Sequence, residues 1–122
     1  MKLRIKGNSI RIRLSKSEVD YFGTNAYLEE RIEFGNSELV YAIQSKANSN
    51  EISANFEGNT IIVTIPENLR NEWIETDRIG LANKIDIGMG KQLLLLIEKD
   101  FVCLDNTLED QSDNYPNPNA VC

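Results

Sequence analysis

Apolar and polar residues alternate through the opening segment of the chain. Leu3 and Ile5 are interleaved with Lys2, Arg4 and Lys6, and Ile10, Ile12 and Leu14 with Arg11 and Arg13. A period of two puts alternate side chains on opposite faces of an extended chain. Two strands, each with one buried face, are therefore predicted around the turn residues Gly7-Asn8. Ser15-x-x-Glu18 follows as a capping box, in which the hydroxyl accepts the amide three residues on and the carboxylate returns to the cap amide. It opens a short helix with Val19 and Phe22 inward, which Gly23 is expected to stop. Two more strands are predicted near 27–34 and 39–46, joined by Gly35-Asn36.

The same order recurs downstream. Strands over 52–56 and 60–65 flank Gly58-Asn59. Pro66 is placed at the first helical position, where its missing N–H is harmless. Leu69 and Trp73, four apart, share the inner face of that helix. Strands near 84–87 and 91–97 flank Gly88-Met89-Gly90, and the polar connector Ala47-Asn48-Ser49-Asn50 separates the halves. The halves also align as sequence. Gly7-Asn8-Ser9-Ile10-Arg11-Ile12-Arg13-Leu14 matches Gly58-Asn59-Thr60-Ile61-Ile62-Val63-Thr64-Ile65 at a shift of 51. Ile32-Glu33-Phe34-Gly35 matches Ile85-Asp86-Ile87-Gly88 at a shift of 53, which also sets Val40-Tyr41-Ala42-Ile43 against Leu93-Leu94-Leu95-Leu96 and Lys46 against Lys99.

The chain therefore reads as two ββαββ repeats, about 1–46 and 51–99. Neither is long enough to bury its own strands. They are expected to pack as one duplicated, mainly β (α+β) domain over 1–99, a small pseudo-two-fold β-barrel-like body that hides its edges, followed by an acidic tail over 100–122.

Composition narrows the function classes. The 122 residues are 41% hydrophobic and 26% charged, as in ordinary soluble domains. The longest apolar run, Leu93-Leu94-Leu95-Leu96-Ile97, falls far short of the roughly 20 residues that span a bilayer, so no membrane partner is expected. Basic residues at the N-terminus are not followed by an apolar segment, so no secretory signal is read and a cytoplasmic location is expected. The absence of histidine removes Ser-His-Asp and Cys-His catalysis, imidazole metal sites and histidine pH switches. The net charge of −6 is divided into zones: +6 up to Lys16, −7 from Ser17 to Lys99, and −5 from Asp100 to the end. A surface that is acidic overall disfavours nucleic acid and anionic lipid as partners.

Ile62-Val63-Thr64-Ile65-Pro66-Glu67-Asn68-Leu69-Arg70 resembles the strand, Ile-Pro, acidic, Leu-Arg helix signature of swapped-hairpin proteins of the AbrB/MazE type, which are transition-state regulators and antitoxins. In that family two ββαββ-like chains intertwine, and here the duplication would supply both copies. The resemblance covers most of the second half and, through the repeat, more weakly the first. It implies phosphate contacts from Arg4, Lys6, Arg11 and Arg13. The matching positions of the second half, Ile62 and Thr64, are uncharged. The whole chain also resembles a group of small uncharacterised bacterial proteins, through Lys2-Leu3-Arg4-Ile5-Lys6-Gly7-Asn8-Ser9-Ile10-Arg11 and Asp113-Asn114-Tyr115-Pro116-Asn117-Pro118. That resemblance implies no activity.

Arg11 and Arg13 fall on one side of a strand, with Arg4 and Lys6 on its neighbour, as an anion-binding patch or a solvated polar face. In the tail, Cys103, Asp105, Glu109, Asp110, Asp113 and Cys122 bring two thiols and four carboxylates together as candidate metal ligands, although their spacing fits neither a zinc knuckle nor an EF-hand. Cys103 and Cys122 form either a disulfide or, as a reducing cytosol favours, free thiols. Phe101, Val102 and Leu104 are expected to anchor the tail, and Tyr115-Pro116-Asn117-Pro118 to be extended or turned. Glu29, Glu30 and Glu33 make no acid–base pair, and Gly88-Met89-Gly90-Lys91 lacks a phosphate-loop pattern. No catalytic residue and no cofactor are predicted. The expectation is a non-enzymatic protein-interaction or accessory module with an unidentified protein partner. The alternatives are a swapped-hairpin DNA-binding regulator or antitoxin-like protein, and a metal-dependent protein using the tail.

Overall fold

The alternating segments become strands, and the two capped or proline-led segments become helices. A computed structural model describes residues 1–101, in the order β1 (Lys2–Lys6), β2 (Ser9–Leu14), α1 (Lys16–Asn25), β3 (Tyr27–Glu33), β4 (Glu38–Lys46), β5 (Ser53–Glu57), β6 (Thr60–Pro66), α2 (Glu67–Glu75), β7 (Gly80–Gly88) and β8 (Lys91–Lys99). Successive strands pair as antiparallel hairpins. The hairpins then join through parallel pairs, β2 with β8 (Ser9 opposite Leu94) and β4 with β6 (Val40 opposite Thr60). Sheet A has the order β1-β2-β8-β7 and sheet B the order β3-β4-β6-β5. Each sheet thus takes one hairpin from residues 1–46 and one from 51–99.

The closed, barrel-like body expected from the sequence is not what forms. The two sheets stay separate, and β1, β7, β3 and β5 remain edges. Stacking satisfies the apolar faces without closure. Ile12, Leu14, Leu95 and Ile97 of sheet A share one buried cluster with Ile43, Val63 and Ile65 of sheet B. Charge takes over the protection that closure would have given. Lys2, Arg4 and Lys6 line the β1 edge, and Glu29, Arg31 and Glu33 the β3 edge.

Both helices lie at the end where β2 and β6 finish, and their Phe22 and Trp73 are fully buried there. The capping box forms, with the Ser15 amide donating to Glu18 Oε1 at 2.8 Å. Gly23 does not end α1, which continues to Asn25 and is capped by Ala26 in the left-handed region at φ 58°. Gly23 instead faces α2: a Cβ there would lie 3.3 Å from Ile74 Cδ1, so the missing side chain lets the helices approach. Pro66 ends β6 and caps α2, one position earlier than expected. Arg70 is also buried, with its guanidinium 6.0 Å from the Phe22 ring centroid and both Nε and Nη2 bonded to Asn71 Oδ1. Strand β7 begins at Gly80, earlier than the predicted 84, because pairing with β8 imposes extended backbone on residues of weak strand preference.

At one corner the Met1 amine pairs with Glu18 and, at 3.3 Å, with Glu30. The Tyr41 hydroxyl donates to Glu30 Oε2 at 2.7 Å and lies 3.2 Å from the Met1 carbonyl. Burial, reinforced by the Glu30 carboxylate, pushes the Tyr41 phenol up to about 12 from its ordinary 10.0. A raised folded value means that the neutral phenol's contribution is intact below pH 10 and is lost as pH climbs through 12. Denaturation midpoints followed across that window are expected to fall, and Tyr41→Phe is expected to flatten the fall.

Candidate functional site

Inward Leu3, Ile5, Ile10 and Ile12 oblige their neighbours in β1 and β2 to point outward. The register sets Lys2 opposite Arg13, Arg4 opposite Arg11 and Lys6 opposite Ser9. Lys2, Arg4, Lys6, Arg11 and Arg13 therefore share the outer face of sheet A. Lys84 of β7 joins them, since Lys84 and Ser9 are both opposite Leu94. An acid sits between the arginines. Glu98 of β8 is opposite Arg13, and its Oε1 lies 3.0 Å from Arg11 Nε and 3.6 Å from Arg13 Nε. The Arg11 contact is an ion pair rather than an aligned hydrogen bond. Glu98 is buried, Arg11 is largely covered, and Arg13 is more open. At the far end of the face Lys2 Nζ meets Asp100 Oδ2 at 2.7 Å.

The outer face of sheet B has the opposite character. Arg31 is held there between Glu29 (2.7 Å) and Glu38 (2.6 Å), with Glu33 and Glu57 adding further negative charge. Hydrogen bonds from Tyr27 and Arg31 hold the Glu29 carboxyl below its ordinary value. A chain of net negative charge thus carries one basic face and one acidic face.

A second feature had no counterpart in the sequence reading. The parallel joints bring turn 7–8 beside turn 88–90 and turn 58–59 beside turn 34–37. All four hairpin tips lie at the end away from the helices. Between them is an apolar cavity of about 450 Å³, lined by Ile5, Ile10, Leu39, Phe56, Ile61 and Leu93, with Asn55 as a polar neighbour. The tips expose Phe34, Phe56 and Ile87 by more than half and Met89 by 96%. Apolar side chains on strand ends do not reveal such a gathering until the pairing is known.

The remaining sequence candidates are distributed as follows. Glu29 and Glu30 diverge, the first to Tyr27 and Arg31, the second to Tyr41 and the Met1 amine. Cys103, Asp105, Glu109, Asp110, Asp113 and Cys122 lie outside the described residues, as do Val102, Leu104 and Tyr115-Pro116-Asn117-Pro118. Phe101, expected to anchor the tail, is 60% exposed. Among the described residues no three His, Cys, Asp or Glu gather to hold a metal ion, and no helix is long and apolar enough to cross a membrane.

No curated protein and no solved structure matches the chain. Residues 1–119 match the model of a family of unknown function, DUF7009, and the chain belongs to that family.

Proposed function

We propose that this protein is a non-enzymatic, cytoplasmic interaction module that binds an acidic segment of a protein partner on the outer face of sheet A. The observation that supports it is the in-register pairing of Lys2, Arg4 and Lys6 with Arg13, Arg11 and Ser9, which puts five cations on two adjacent strands. Glu98 sets the threshold. It engages Arg11 and Arg13 when no partner is bound, so a partner's carboxylates must compete with it. Fluorescence anisotropy with an acidic peptide is expected to show salt-sensitive binding. Arg11→Ala with Arg13→Ala should weaken it at least about tenfold. Glu98→Gln should strengthen it while lowering stability by about 1–2 kcal/mol, since it removes a buried carboxylate that pairs with Arg11 and Arg13. Binding indifferent to both salt and these substitutions would reject the reading.

Duplex DNA is the second reading, favoured by the segregation of charge: a basic face can meet phosphates although the chain is acidic overall. The same anisotropy titration with a duplex in place of the peptide ranks the two.

We also read the chain as a duplicated unit related by a pseudo-two-fold axis along the strands, in the manner of the swapped-hairpin proteins it resembles. Paired hydrogen bonds support this. Asn8 Nδ2 donates to the Gln92 carbonyl at 2.6 Å and Asn59 Nδ2 to the Glu38 carbonyl at 2.7 Å. The Leu94 amide donates to Asn8 O and the Val40 amide to Asn59 O. These bonds match Val40 with Leu94, a shift of 54 in place of the 53 that the sequence suggested. The extra residue falls at the irregular β7–β8 turn, where the register shifts between Asp86 and Gly88. Asn8→Ala and Asn59→Ala are each expected to cost about 1 kcal/mol, and by similar amounts, in urea denaturation.

A further inference from the structure

We propose that the hairpin-tip end of the sandwich is covered by a second copy of this chain, in a reversible two-fold dimer that sets the tip of sheet A in each copy against the tip of sheet B in the other. Lys6 and Lys84 belong to both the basic face and this end, but the apolar tips belong to this end alone, and self-association and peptide binding are read separately, so either can fail alone.

The apolar side chains at the tips are the first ground. Ile5 and Phe56 line the cavity, and Phe34, Ile87 and Met89 stand at the hairpin tips of the same end, each of the five at least half exposed. Apolar surface gathered in this way is removed from water by association. Charge then identifies the occupant and its orientation. At the sheet A tip, Lys6, Lys84 and Lys91 outnumber Asp86 among the described residues, and Asp86 also accepts the Gly88 amide at 2.9 Å. At the sheet B tip, Glu33, Glu38 and Glu57 outnumber Arg31.

Two end-to-end arrangements with two-fold symmetry set sheet layer directly on sheet layer. An axis perpendicular to the sheets sets sheet A on sheet A, lysines on lysines, and sheet B on sheet B, glutamates on glutamates. An axis parallel to the sheets and across the strands sets A on B at both contacts. Like charges oppose the first and opposite charges favour the second. In the second, the internal stacking fixes which tips meet. The Met1 amine reaches Glu30 of β3 at one corner, and Asn83 Nδ2 donates to the Ile52 carbonyl at the other, so β1 lies over β3 and β7 over β5. The β1 tip of one copy, with Lys6, therefore meets the β3 tip of the other, with Glu33.

The size of the end sets the strength. Four strands about 4.8 Å apart in two sheets about 10 Å apart make an end roughly 20 Å square, so the pair buries on the order of 800 Å² in total. That is small for a permanent dimer, and dissociation in the range of about 10–100 µM is expected.

Sedimentation equilibrium of the full chain from about 5 µM to about 500 µM tests the proposal. The expected result is a rise from one to two chain masses that weakens with added salt. Met89→Asp, on a side chain too exposed to affect folding, should raise the dissociation constant at least about tenfold. Lys6→Glu should weaken the dimer and the pair Lys6→Glu with Glu33→Lys should restore it, circular dichroism showing each variant folded. Strengthening by Lys6→Glu alone would overturn the arrangement in favour of like tips meeting. A chain that stays monomeric throughout would overturn the dimer, and stoichiometric uptake of an apolar fluorescent dye by that monomer would make the cavity a small-molecule site instead.

Discussion

Trp73→Ala is expected to lower the free energy of unfolding by about 3–5 kcal/mol, a large share of the roughly 5–15 kcal/mol typical of a small domain. The indole is fully buried where α2 closes the helix end of the sandwich. Its removal takes away a large apolar surface and opens a void. It also removes the indole N–H bond to the Ile79 carbonyl, 3.0 Å long. Ile79 O accepts the Lys99 amide as well, so the loss reaches the last pairing of β8. Guanidinium unfolding followed by far-ultraviolet circular dichroism is the appropriate measurement, because the substitution deletes the single tryptophan. A loss below about 1 kcal/mol would mean that the helix end does not depend on this side chain.

Gly80→Val is the second large effect, expected at about 1–3 kcal/mol or more. Gly80 needs no unusual φ; the constraint is space. A Cβ at this position would meet the Ile97 carbonyl oxygen at 2.8 Å and Glu98 Cγ at 3.0 Å. A side-chain tip can turn aside, but a carbonyl within the β7–β8 ladder cannot move without taking its strand along. The displaced strand carries Glu98, so the variant should also loosen the acid from Arg11 and Arg13 and alter anion binding. Gly23→Ala is the control. Its nearest neighbour is the flexible end of Ile74, and alanine's helix preference offsets the crowding, so little change in denaturation midpoint is expected.

Much of the local structure was legible in the sequence, element by element. Alternation in Lys2–Lys6 and Ser9–Leu14 is enough to place strands and to sort their faces, because side-chain direction in a strand follows from covalent geometry. Ser15 and Glu18 announced the start of α1, since a capping box is made within one turn. Where the reading missed, a distant partner decided. Gly23 looked like a stop until α2 packed on it, and 80–83 looked like a loop until β8 paired with it.

The sequence alone determined the run of strands and helices, the mainly β class and the outward direction of Arg4, Lys6, Arg11 and Arg13, all of which depend on periods of two and on neighbours a few residues apart. The tertiary structure decided what stands next to what. The parallel joints of β2 with β8 and of β4 with β6 separate the chain into two open sheets in place of a barrel. They also bring Glu98 from the far end of the chain to Arg11 and Arg13, and collect the apolar hairpin tips around one cavity. Alternation specifies which face of a strand is buried but not which strand lies beside it. That choice falls to the packing of Phe22, Trp73 and the inward side chains of both sheets, which bury their surface together in one cluster.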